Sequence, residues 1–200
     1  MKKKRILIAC EYLGIVREAF KKKGWDAWSC DILDTDIPGQ HIKDDVLLHL
    51  DDGWDMMIAF PPCTYLCSSG IHWNGRVPGR ETKTHEAILF FMSLADCQIP
   101  KICIENPVGI MSTHYRKPNQ YIHPYFFGHD ASKKTGLWLK NLPLLKPTNY
   151  VKPRIVNGKE RWGNQTDSGQ NKLGPSEDRW KIRSLTYQGL ANSMAEQWSK

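Results

Sequence analysis

Short apolar runs bounded by turn formers recur along the chain. Ile6-Leu7-Ile8-Ala9-Cys10, Met56-Met57-Ile58-Ala59 and Ile102-Cys103-Ile104 are too short and too uniformly apolar for amphipathic helices. Such runs predict strands buried on both faces. Other stretches carry the helical period. Ile15, Ala19 and Phe20 mark a helix from Ile15 to Lys23 that Gly24 closes, and Trp25 to Asp31 reads as the next strand. Ala87, Ile88, Phe91, Leu94 and Ala95 give the stronger helix, Glu81 to Ala95. It joins the strand ending at Phe60 to the strand ending at Pro107, and such crossovers are right-handed, so the two strands should lie parallel. A strand at Gly136 to Leu139 and an amphipathic helix from Gly189 to Trp198 complete the regular elements. The expected fold is α/β, a doubly wound and mostly parallel sheet in one domain spanning the 200 residues.

Three segments lack a period. Asp34 to Gln40 is rich in turn formers and leads to a short helix ending at Leu50, for which Asp45 is a candidate cap. Ser68 to Arg80 mixes glycine with basic and aromatic side chains and predicts an irregular loop: either a flap using Trp73, Arg76 and Arg80 on a base or phosphate, or an ordinary surface loop. Residues 149–182 are polar, either a recognition segment in which Arg161, Asn164 and Gln165 meet base edges or phosphates, or a linker.

The chemistry concentrates at two strand ends. Pro61 and Pro62 donate no backbone hydrogen bond, so the strand must stop and Cys63 emerges at the carboxyl edge, where open α/β sheets bind ligands. Pro107 likewise follows Glu105 and Asn106. Parallel neighbours would bring thiol and carboxylate to one pocket, an arrangement for nucleophilic attack with proton management. A structural cysteine on a turn is the plain alternative. Asp31, ending the second strand, stands where ribose hydroxyls of a nucleotide-like cofactor lie in such folds. Glu11 and Gly14 occupy the first turn, where a carboxylate can equally cap the following helix.

Composition refines this picture. The 28 basic and 21 acidic side chains leave a net charge of +7, which favours a polyanionic partner. Nothing in the sequence is long and apolar enough for a leader or a membrane span, and the six cysteines, several within apolar runs, suggest a reduced cytoplasmic protein without disulfides. Cys63, Cys67 and His72 lack a second pair at zinc-ligand spacing, so no metal is expected.

Pro61-Pro62-Cys63 followed by Glu105-Asn106-Pro107-Val108-Gly109 resembles the nucleophile and glutamate motifs of the DNA cytosine-5 methyltransferases, and the whole chain resembles small phage-type members without a large target-recognition domain. The resemblance implies a Rossmann-like methyltransferase domain using S-adenosylmethionine (SAM), with DNA as partner and its target base flipped out. It implies Cys63 as nucleophile, Glu105 and Asn106 at the base, and a cofactor pocket drawing on Cys10, Glu11, Gly14, Asp31, Asp45, Pro61 and Asn192. Where the family carries a glutamine and two arginines this chain has Lys133, Lys134 and Thr135, so Lys133 is expected at the reaction centre and Lys134 against nucleic acid. The turn after the first strand keeps only Gly14 of the family's glycines. A free cytosine nucleotide is the alternative substrate, and a binding module without turnover the alternative function.

Overall fold

The computed structural model describes residues 3–200. The chain runs β1 (Arg5–Ala9), α1 (Ile15–Lys21), β2 (Asp26–Asp31), β3 (His41–Lys43), a 3-10 turn (Val46–His49) and β4 (Met56–Ala59). It continues through α2 (Ser68–Ile71), a 3-10 turn (Asn74–Arg76), α3 (Arg80–Asp96), β5 (Lys101–Pro107), α4 (Met111–His114) and β6 (Gln120–Ile122). After a third 3-10 turn (Pro124–Phe126) come β7 (Thr135–Lys140), the hairpin β8 (Arg154–Val156) and β9 (Lys159–Arg161), α5 (Arg179–Ser184) and α6 (Gln188–Trp198).

Seven strands form one sheet in the order β3-β2-β1-β4-β5-β7-β6. The pairs from β3 to β5 are parallel, and β7 is antiparallel to both of its neighbours. This is the doubly wound, mostly parallel sheet that the sequence leads one to expect.

The period of two along each strand sorts side chains into two cores. Ile6 and Ile8 of β1, Met56 and Ile58 of β4 and Cys103 of β5 face α1 and α6, where Phe20, Met194 and Trp198 are fully or almost fully buried. Leu7 and Ala9, Met57 and Ala59, and Ile102 and Ile104 face α3 through Phe91 and Leu94. Burying each large apolar side chain contributes about 1.5–3 kcal/mol, so α1 and α6 are fixed to the sheet by packing on their apolar stripes. α1 also buries Arg17, whose guanidinium donates to the Ser29 and Thr35 hydroxyls and the Ile37 carbonyl. That clamp ties the turn-rich segment after β2 to the helix.

Several local expectations are corrected. The loop expected from Ser68 to Arg80 is irregular only in part, because α2 and a 3-10 turn occupy most of it. The polar 149–182 segment contains a hairpin whose Asn157 and Gly158 both have positive φ, at 50° and 73°, the geometry of a tight two-residue hairpin turn. β3 and β6, three residues each, are additional edge strands. No described helix is long and apolar enough to cross a membrane.

Candidate active site

β4 and β5 run side by side with Ala59 opposite Ile104, so the segments following both strands leave the same edge of the sheet. After Phe60, whose N–H still donates to the Ala9 carbonyl, the two prolines end the ladder. Cys63 then opens a single helical turn in which its carbonyl accepts from the N–H groups of Leu66 and Cys67. The glutamate segment holds this turn in place. The Asn106 amide donates to the Pro61 carbonyl at 2.8 Å, Ser68 N–H donates to the Val108 carbonyl, and Ile110 N–H donates to the Leu66 carbonyl. Gly109 has no room for a side chain: a Cβ there would lie 1.9 Å from the Leu66 carbonyl oxygen.

Cys63, Glu105 and Lys133 line one cavity of about 1430 Å³. That exceeds the roughly 300–1,000 Å³ of a usual small-molecule pocket, and leaves room for two ligands at once. Acids are concentrated at one part of the wall, although Glu86 and Glu105 stand among the cations elsewhere. Cys10, Glu11, Asp31, Asp44 and Asp45 line the part at the ends of β1, β2 and β3, whereas Arg80, Lys83, Lys133, Arg179 and Arg183 line other parts of the wall.

Protonation follows from the surroundings. Burial pushes the Glu105 carboxyl above the ordinary carboxylate range, with the Lys133 charge and the Thr135 hydroxyl acting in the opposite sense. A carboxyl so placed can carry a proton to a ligand. Burial also raises the Cys63 thiol, Cys67 and Glu105 add to the effect, and the cations Lys133 and Arg183 oppose it. Asp31 is raised by burial, against the Leu33 N–H and the charge of His41. Glu11 is almost fully buried and pushed up to about 7 by desolvation, although its two oxygens accept from the N–H groups of Val16 and Arg17 at 2.6 and 3.2 Å. It caps α1 and lines the cavity at the same time.

The acidic part of the wall would suit a ligand with cationic groups, such as the sulfonium and ammonium of SAM: Asp31 and Asp45 stand there, and Asp31 keeps one oxygen on the Leu33 N–H. Cys10 turns the chain there in the left-handed region, φ 58°, and both its N–H and that of Glu11 reach the Cys30 carbonyl. Asp45 also caps the 3-10 turn, accepting from Leu47 N–H at 3.0 Å. Pro61 contributes to the wall.

Of the other expected residues, only Arg80 and Trp73 line the cavity. Asn106 is buried on Pro61 and does not line the cavity, because its amide is engaged by the backbone it holds. Gly14 supplies the left-handed turn before α1, φ 75°, with Arg17 packed where a side chain would project. Asn192 lies on the exposed face of α6, accepting from Gln188. Arg80 lines the cavity with its guanidinium over the Tyr65 ring; one terminal nitrogen donates to the Thr64 and Gly70 carbonyls, while the buried Nε has no partner among the described residues. Trp73 lines the cavity while 46% exposed, with Arg76 over its ring. Lys134 lies over the Tyr121 ring, outside the cavity lining.

Residues expected to read nucleic acid in the 149–182 segment are engaged internally. Asn164 makes paired bonds with the Ser132 backbone, Gln165 bonds Trp162 N–H and the Gly169 carbonyl, and Arg161 bonds carbonyls of its own segment. Trp162 stacks on Tyr125 at 4.0 Å, anchoring the segment to the body. Several cavity residues escaped the sequence reading, among them Tyr12, Arg179 and Trp180, and Arg183 lines the cavity beside them. α5 crosses to β1's following turn, with Trp180 6.1 Å from the Tyr12 ring and the Ser184 and Tyr12 hydroxyls 3.4 Å apart. No local signal marks a contact between segments so distant in sequence. Among the described residues no group of three or more His, Cys, Asp or Glu is arranged to hold a metal ion.

No protein-family model matches the chain, and no curated protein matches it. Solved structures with a related course of the chain include a protein assigned as a DNA modification methyltransferase encoded within an E. coli prophage, at 14% identity and TM-score 0.49 over 74% of this chain. They also include the methyltransferase EhMeth of Entamoeba histolytica, at 12% identity and TM-score 0.46 over 76% of the chain. A third is the S. pombe Dnmt2 methyltransferase, at 15% identity and TM-score 0.41 over 71%. The chain spans 52%, 59% and 50% of these three chains respectively.

Proposed function

We propose that the chain transfers a methyl group from SAM to carbon 5 of cytosine in DNA through a covalent adduct of Cys63 at carbon 6. The observation that carries this reading is the emergence of Cys63 and Glu105 from neighbouring parallel strands into one cavity whose other part is lined by Asp31 and Asp45. Carbon 5 of a neutral pyrimidine is a poor nucleophile, and the residues present address that difficulty. The Cys63 thiolate forms a bond to carbon 6 with its lone pair. The electrons of the 5,6 double bond move to the bond between carbons 5 and 4, and the displaced pair settles on ring nitrogen 3, which takes the proton of Glu105. A carboxyl raised by burial is suited to bring that proton. The chemistry SAM supplies when bound is an electrophilic methyl group for the activated carbon 5, with the electron pair of the broken bond remaining on sulfur. Loss of the carbon 5 proton to water restores the 5,6 double bond, expels Cys63 as thiolate and returns the nitrogen 3 proton to Glu105.

A free cytosine nucleotide presents the same ring. It is favoured by one observation, that Asn164, Gln165 and Arg161 are bound inside the protein rather than displayed for base reading. The test is incubation with SAM and either duplex DNA or a nucleotide containing 5-fluorocytosine, which blocks release after methyl transfer. A complex with DNA that survives denaturation and is absent in Cys63→Ser supports the proposal. Adduct with the nucleotide alone selects the second reading, and adduct with neither overturns both.

A further inference from the structure

We propose that Arg183, carried in on α5 from the far end of the chain, is the cation that faces the Cys63 sulfur and stabilises the negative charge held there and passed to the ring on addition. The inference rests on the reading of Cys63 as nucleophile. Three observations support it. Arg183 lines the same cavity as Cys63, Glu105 and Lys133. Its backbone is fixed at that place, since Lys133 Nζ donates to the Arg183 carbonyl at 3.2 Å while the next residue's hydroxyl stands 3.4 Å from that of Tyr12 and Trp180 packs near the Tyr12 ring. Its guanidinium forms no hydrogen bond or ion pair with the described residues, in contrast to Arg17 and Arg161, whose guanidinium groups are held by several partners each.

The charge arithmetic shows why a second cation is useful. Cys63 is partly desolvated and has Glu105 and Cys67 as neighbours, all of which disfavour the thiolate. Lys133 faces both Cys63 and Glu105, so its charge is shared between them. Arg183 acts on Cys63 in the same sense as Lys133. It adds to the positive charge that favours the thiolate, while burial leaves the Glu105 carboxyl able to keep its proton.

The test reads the thiol directly and needs neither SAM nor substrate. Iodoacetamide alkylation of Cys63 in the full chain is followed by mass spectrometry of the cysteine-containing peptide across pH 6–10 for the parent protein, Arg183→Met, Arg183→Gln and Arg183→Lys. The expected result at pH 7.5 is alkylation roughly three- to tenfold slower in the Met and Gln variants and near the parent rate in Arg183→Lys, with the difference shrinking in 1 M salt. Parent-like rates in both neutral variants would overturn the proposal, as would an Arg183→Lys rate as low as theirs. The neutral side chains replace an exposed one, and circular dichroism of each variant checks that it is folded. Because alkylation does not depend on methyl transfer, failure of this proposal and failure of the cytosine reading give different results. The first leaves 5-fluorocytosine adducts intact, and the second leaves the alkylation shift intact.

Discussion

Asn106 and Pro61 are joined by a side-chain amide to carbonyl hydrogen bond of 2.8 Å in the interior, 45 residues apart in sequence. The bond links the strand that delivers Glu105 to the loop that delivers Cys63. Asn106→Ala leaves a buried carbonyl without its donor, which costs about 1–3 kcal/mol. The expected outcome is a lower urea midpoint, together with slower methyl transfer at nearly unchanged SAM affinity, measured by denaturation and calorimetry.

Gly109→Ala tests the same junction by sterics. The added Cβ meets the Leu66 carbonyl, which is backbone and cannot rotate away. The turn from Cys63 to Cys67 must shift, and a loss on the order of 1–3 kcal/mol is expected. A melting temperature equal to that of the parent would show that the two motifs are not locked together there.

Cys63→Ser should abolish methyl transfer by at least three orders of magnitude, roughly the scale seen when a catalytic nucleophile is removed. A serine alkoxide is not accessible near neutral pH, whereas a thiolate is. SAM binding should persist, because Asp31 and Asp45, the acids assigned to it, lie on other segments than Cys63. Radiolabelled methyl transfer and calorimetry on one preparation check both halves of the expectation.

Asp31→Ala should weaken SAM binding about tenfold or more, the loss of charge-assisted hydrogen bonds to hydroxyls. Binding to DNA should change little. Equal SAM affinity in parent and variant by calorimetry would remove Asp31 from the cofactor site.

Glu11 makes stability depend on pH in an uncommon direction. Its carboxyl is pushed up to about 7 in the folded chain, against an ordinary value of 4.5. The folded state therefore holds a proton that the unfolded state has released, and stability falls as pH rises from about 4.5 to about 7. The contribution is on the order of 3 kcal/mol at most. Glu11→Gln should flatten this part of the profile, and urea midpoints at pH 5 and pH 8 measure it; an unchanged slope would count against a buried protonated Glu11.

Much of this architecture was legible because it is written in local periods. Apolar runs gave β1, β4 and β5, the helical stripe gave α1 and α3, and paired prolines fixed where the chain leaves the sheet. β3 and β6 were not legible, since three-residue edge strands such as His41–Lys43 carry almost no pattern. The β8–β9 hairpin had a signal, Asn157-Gly158, but its strands Arg154–Val156 and Lys159–Arg161 are mostly polar and resemble linker. At the site, Cys63 and Glu105 were marked by their neighbours in sequence. Asn106 was marked too, yet its bond to Pro61 depends on which strand lies beside which. Arg183 reaches the cavity only through the packing of α5 on Tyr12, which no run of residues announces.

The reversed direction of β7 has a practical consequence for engineering. Because it pairs antiparallel with β5, Thr135 lies opposite Pro107 at the ligand edge and Lys140 lies opposite Ile102 at the other end. Lys133 thus enters the site from the start of its strand, and the chain that leaves the strand does so on the far rim. Leu144 there is 55% exposed, in a connection without regular structure. A fluorescent side chain substituted for Leu144 itself leaves the Trp198 bond to Pro143 and the Gln120 bonds to Leu145 in place, so this rim is the place to attach a reporter while the cavity is being studied.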